Sequence, residues 1–171
     1  MNEIVVSVLE QAKPMITKAG VSVETCFAPD LPLVSVDVSA LSQAIQNLIQ
    51  NAVKYSGESR WLAIRTEKIE SKRGAEVQVV VEDRGIGIGQ DDLPHIFEPF
   101  YRSRAANAAQ IHGTGLGLFM AREAVASMGG RIAAESSPGK RTAFAIQLPA
   151  LQPEAADSCS SPGEGTSSNA L

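Results

Sequence analysis

The sequence predicts an α+β domain: one mixed sheet with helices on a single face. Three observations point there. Period-two runs and 3.6-period apolar stripes both occur; strands and helices follow one another without regular βαβ alternation; and a composition of 44% apolar and 20% charged residues is enough to bury a core. At 171 residues the chain holds one such core, which usually serves about 100–200 residues.

Ile4, Val5, Val8, Leu9, Ala12, Met15, Ile16 and Ala19 repeat at helical spacing up to Gly20, a natural stop, with Pro14 expected to interrupt or kink the helix. Residues 21–27 alternate as a half-buried strand, Pro29 to Pro32 form a turn, and 33–36 suit a short second strand. Asp37 or Ser39 then caps a helix whose stripe is Leu41, Ile45, Leu48, Ile49 and Ala52, ending near Tyr55 to Gly57. Strands are expected over 61–67 and 76–82, joined by a charged loop over 68–74. An irregular stretch over 84–114 has the length of a lid or binding loop. A helix over 116–128 stops at Gly129-Gly130, and 131–136 with 142–148 make a hairpin around Pro138-Gly139. The folded domain is expected over 1–150, and 151–171, rich in Ser, Pro, Gly, Ala and Glu, as a disordered tail.

The net charge of −4 argues against a broad nucleic-acid footprint, so any bound anion must be held locally. Cys26 and Cys159 lie far apart without a CxxC pair, which supports neither a zinc site nor a disulfide framework. No run approaches the roughly 18 apolar residues of a membrane span, and the start lacks the regions of a signal peptide. The expectation is a cytoplasmic chain without membrane contact of its own, whether or not its parent is anchored in the inner membrane.

Three segments carry chemistry. In the capped helix, Asn47, Asn51 and Lys54 share one edge beside the apolar stripe. Amide oxygens suit Mg²⁺ and an ammonium suits phosphate. After the β-branched run ending at Glu82, Asp83-Arg84-Gly85-Ile86-Gly87 offers a carboxylate for an exocyclic amine, and glycines beside which a planar ring can approach the backbone. Gly113-Thr114-Gly115-Leu116-Gly117 leads into a helix and exposes N–H groups where polyphosphate is favoured, although it is neither GxxxxGK[ST] nor GxGxxG. Between the last two, Phe97 and Phe100 can anchor a closing loop, and Arg102 can reach anionic oxygens.

Taken in order, NLIQNAVKY, EDRGIGI, IFEPFYR and GTGLGL resemble the N, G1, F and G2 boxes of the catalytic ATP-binding domain of sensor histidine kinases. The resemblance spans about residues 4–148 and implies the Bergerat fold, a two-layer α/β sandwich with a mobile lid, shared with gyrase, MutL and the heat-shock chaperone ATPases. It implies ATP and Mg²⁺ as cofactors: Asn51 as principal metal ligand with Asn47 beside it, Lys54 on the phosphates and Tyr55 bordering the nucleotide. It further implies Asp83 on the adenine amino group in a pocket shaped by Gly85 and Gly87. Gly113, Thr114, Gly115, Leu116 and Gly117 would line the triphosphate, Phe97 and Phe100 seat the lid, and Arg102 stabilise the transferring phosphoryl group.

In the hydrolysing members and the anti-sigma-factor serine kinases, the resemblance places a glutamate base where this chain has Asn47. An amide takes no proton from water or serine, whereas imidazole is already nucleophilic near neutral pH. Phosphorylation of a histidine is therefore favoured over the alternatives, a free-standing ATPase or a non-catalytic nucleotide-sensing module. The acceptor belongs on a helical dimerisation and phosphotransfer domain, with a response-regulator receiver domain downstream. His95, between Pro94 and Ile96 in the lid region, is not on such a helix, and His112, just before the G2 glycines, has no assigned role.

Overall fold

The computed structural model describes residues 1–151. Its sheet has five strands in the order β1-β2-β3-β5-β4: β1 (Ser22–Phe27), β2 (Trp61–Ser71), β3 (Gly74–Asp83), β4 (Arg131–Ser137) and β5 (Arg141–Pro149). β1 runs parallel to β2 and the other pairs are antiparallel, so the sheet is mixed. Helices α1 (Asn2–Ala19), α2 (Val38–Tyr55) and α4 (Gly117–Ser127) form one layer, with α2 between the other two and against the sheet. A short helix α3 (Arg104–Ala108) lies in the loop after β3.

Strand register explains which face the helices cover. Leu62 and Ile64 of β2, Val79 and Val81 of β3, and Phe144, Ile146 and Leu148 of β5 alternate onto one side and pack with Leu41, Ile45, Leu48 and Ile49 of α2. The opposite side carries polar pairs instead. There Glu76, 1% exposed, takes both Arg131 guanidinium nitrogens at 2.6 and 2.7 Å, and Arg65 holds Glu82 at 2.9 Å.

Several elements depart from their sequence reading. α1 runs through Pro14 without interruption, because the ring sits on an exposed face of a helix already held by Val5, Val8, Ala12 and Ile16. Residues 33–36 form no strand; only Val34 bridges, to Ala150. The expected charged loop over 68–74 is mostly sheet, since β2 and β3 pair as far as Ser71 and Gly74. Charged residues fit there because Glu67, Lys68 and Glu70 are exposed on the paired strands. Asp37 is the cap of α2, accepting from the Ala40 N–H at 3.0 Å. Leu151, where the tail was expected to begin, still donates its N–H to the Leu33 carbonyl at 2.7 Å; the rest of the expected disordered tail, 152–171, lies outside the described residues. No described helix is long and apolar enough to cross a membrane.

Candidate functional site

α2 presents Gln50, Asn51, Lys54 and Tyr55 along one edge because its apolar stripe is committed to the sheet. Across from that edge, β3 ends at Asp83, whose partner in the strand register is Thr142, the second residue of β5. The long loop closes the third side with Tyr101, Arg102, Ser103 and the turn over 113–117. A cavity of about 360 Å³ lies between them, its apolar wall made by Ile86, Ile88, Ile96, Leu118 and Phe144. Asn51, Lys54, Tyr55, Asp83, Gly87, Arg102, Gly113, Thr114, Gly115 and Gly117 all line it.

Asp83 is 3% exposed, and its carboxyl pKa is raised from 3.8 to about 6. Burial is the main cause; the Glu82 charge adds to it, and the Gly85 N–H, donating to Oδ1 at 2.9 Å, works against it. One carboxylate oxygen is thus held by the backbone within a dry corner. The Thr142 hydroxyl beside it meets Ser136 Oγ at 2.9 Å, while Ser136 Oγ also accepts from the Ile88 N–H at 2.9 Å.

Of the two glycines after Asp83, Gly87 lines the cavity as expected, and both also meet close neighbours in the fold. A Cβ on Gly85 would land on the Tyr55 carbonyl oxygen, which accepts the Ile86 N–H at 3.1 Å. Gly87 has φ +74°, and a Cβ there would lie 2.6 Å from Pro138 Cα, in the β4–β5 turn. Both glycines let protein backbone approach protein backbone, locking this corner to α2 and to the hairpin. Gly85 itself does not line the cavity.

The turn over 113–117 sits against the end of α2: a Cβ at Gly113 would be 2.5 Å from Lys54 Nζ, so the ammonium already reaches the turn. Leu116 stands at the start of α4 and does not line the cavity. Asn47 is also outside the wall. Its Nδ2 donates to the Gly117 carbonyl at 3.2 Å and its Oδ1 accepts from Gln43 at 3.4 Å, so it ties α2 to the first turn of α4.

The two phenylalanines expected to seat the loop behave differently. Phe97, partly buried, packs edge-on against Phe144 at the margin of the core, with centroids 6.4 Å apart. Phe100 is 72% exposed, and its ring anchors nothing. Its backbone does the work instead: at φ +64° it donates its N–H to the Gly115 carbonyl at 3.0 Å, and a Cβ on Gly115 would lie 2.6 Å from its carbonyl carbon. Arg102 donates through Nη2 to the Ile111 carbonyl, while its buried Nε has no partner. His95 pairs with Glu98 at 2.7 Å and His112 is exposed; neither lines this cavity. Thr142 and Phe144 were missed in the sequence because only the pairing of β5 with β3 brings them here; the regular alternation of β5 was their only signal.

A carboxylate at a sheet end, an amide-bearing helix edge and a glycine turn around one cavity define a nucleotide-binding domain of the two-layer, lid-bearing class. Residues 36–152 match the family described as histidine kinase-, DNA gyrase B-, and HSP90-like ATPase. The sensor-like histidine kinase SenX3 of Mycobacterium tuberculosis is 34% identical over 151 residues, covering 88% of this chain and 36% of that protein. Sensor histidine kinase WalK of Bacillus subtilis is 38% identical over 122 residues, covering 71% of this chain and 20% of its own length. The mycobacterial sensor histidine kinase MprB superimposes with a TM-score of 0.73 at 27% identity, covering 88% of this chain and 94% of that one. The chain belongs to this family of ATPase domains, and the relatives and the solved structure it resembles are sensor histidine kinases. It spans well under half the length of the curated relatives it matches.

Proposed function

We propose that this domain binds Mg²⁺-ATP and transfers the γ-phosphoryl group to a histidine on a separate helical phosphoacceptor domain, from which a receiver domain takes it. The observation that carries the proposal is the convergence of Asn51, Lys54, Asp83 and the turn over 113–117 on one cavity. Asp83 accepts the adenine amine, while Ile86, Ile88, Ile96 and Phe144 exclude water from the ring. Lys54 and the N–H groups ahead of α4 hold the phosphates. Arg102 offers the unpartnered Nε to an anionic oxygen, a donor that otherwise stays buried and unsatisfied at a cost of about 1–3 kcal/mol.

The donors present suit magnesium. No cluster of three His, Cys, Asp or Glu exists among the described residues, so the protein contributes amide oxygen, from Asn51 in the wall, with Asn47 one turn earlier bracing α4. Mg²⁺ commonly takes one or two protein oxygens and completes its octahedron with phosphate and water. When bound, it neutralises charge developing on the phosphates. No carboxylate stands at Asn47, so neither water nor a serine is deprotonated there, and a nucleophile that needs no such base is the fitting acceptor.

The test is single-turnover transfer from labelled ATP to a supplied helical hairpin bearing the acceptor histidine. Acid-labile, base-stable label on the hairpin is expected. Intact nucleotide binding without that label refutes transfer, and sustained phosphate release would point instead to a free-standing ATPase.

A further inference from the structure

Asp91 and Asp92 adjoin in sequence but have opposite surroundings: Asp91 is exposed, whereas Asp92 is 4% exposed. A buried carboxylate needs its lone pairs taken up. Oδ1 of Asp92 accepts from the Tyr101 hydroxyl at 2.8 Å, and Oδ2 accepts from the backbone N–H of Arg104 at 3.1 Å. Arg104 Nε adds a charge 3.7 Å from Oδ1. One side chain thus pins both ends of Tyr101-Arg102-Ser103-Arg104.

What lies between those ends matters. Residues 101–103 have no regular secondary structure, yet all three line the nucleotide cavity. Arg102 is the cation among them, with its Nε buried and unpartnered. Arg104 begins α3, whose Ser103 cap accepts from the Ala106 N–H at 3.2 Å. An irregular stretch has no ladder to hold it in place, so its position is set by its anchors, and Asp92 supplies one at each end.

We propose that Asp92 is a positioning residue for polyphosphate recognition, holding Tyr101 and Arg104 so that Arg102 is presented to the cavity. Asp92 does not line the cavity and acts only through these neighbours. The inference rests on the assignment of the cavity to ATP, and it extends that assignment by separating the purine end, fixed by Asp83, from the phosphate end, set by Asp92.

The experiment is calorimetric titration of the full chain with Mg²⁺-ATP and with AMP, for the unaltered protein and for D92N, Y101F, R102A and D92N/R102A. Asn in place of Asp keeps one acceptor but turns a donor toward either Tyr101 or Arg104. Affinity of D92N for ATP is expected to fall roughly tenfold, the scale of one charge-assisted hydrogen bond, while AMP changes less than about twofold. Y101F, which keeps the ring, should shift the ATP-to-AMP ratio in the same direction by less, and D92N should add nothing once Arg102 is Ala. Equal losses for AMP and ATP in D92N, or losses in D92N and R102A that multiply, would overturn the proposal. Should D92N fail to fold, an unchanged ratio in Y101F overturns it as well. If the unaltered protein binds neither nucleotide, the assignment of the cavity fails first and this inference falls with it.

Discussion

Asp83→Asn separates stability from binding. With the carboxyl pKa at 3.8 in the unfolded chain and about 6 when folded, the native state holds more protons between these values. Stability contributed by this group is therefore fully present below pH 3.8, falls as pH rises through the window, and stays low above about 6. The difference of about two pKa units corresponds to about 3 kcal/mol of destabilisation at neutral pH. Asn retains the oxygen that accepts from Gly85 and carries no charge, so the variant should recover most of that amount. For a domain of this size that is a rise of roughly 5–10 °C in melting temperature. The same change removes the acceptor for the adenine amine, so adenine-nucleotide affinity should fall at least roughly tenfold. Melting both proteins without nucleotide at pH 7.5 and at pH 4 checks the sign: the advantage of Asn should shrink toward zero at the lower pH. A variant that melts below the parent at pH 7.5, or an advantage independent of pH, would refute the reasoning.

In the unaltered protein, adenine-nucleotide affinity should be flat above about pH 6 and fall roughly tenfold per unit below it, measurable by titration across pH. Asn51→Ala should abolish the Mg²⁺ dependence of ATP binding, seen by comparing titrations with magnesium and with a chelator. Gly115→Ala places a Cβ 2.6 Å from the Phe100 backbone at φ +74°, and should open the loop to protease at sites over 100–115 while leaving α2 protected from hydrogen exchange. Arg131→Ala leaves Glu76 buried without its guanidinium and should cost about 3 kcal/mol in denaturant unfolding; R131M/E76M should regain most of that.

What could be seen in the sequence were features fixed by local pattern. The stripe Leu41, Ile45, Leu48, Ile49 placed the edge of α2 that borders it, and with it Asn51 and Lys54. The corner at Asp83 and the turn over 113–117 were visible because glycines punctuate them. What escaped was decided across the sheet. Thr142 matters because register sets it against Asp83, and the hairpin tip looked like a loop because its charge reports exposure, not pairing. Gly85 and Gly87 were recognised as necessary, yet the groups that crowd them, Tyr55 and Pro138, lie far off in sequence. Phe100 misled for the opposite reason: an aromatic suggests an anchored ring, and here a left-handed backbone makes the contact. α3 had a signal, Ser103 before an alanine-rich stretch, too short to stand out within a long irregular segment.

The most direct measurement is a crystal structure of the chain with Mg²⁺ and a non-hydrolysable ATP analogue. It should show the adenine amine on Asp83, the metal on the Asn51 amide oxygen, and the phosphates between Lys54 and the N–H groups over 113–117. An analogue bound elsewhere, or one whose purine points away from Asp83, would contradict the account.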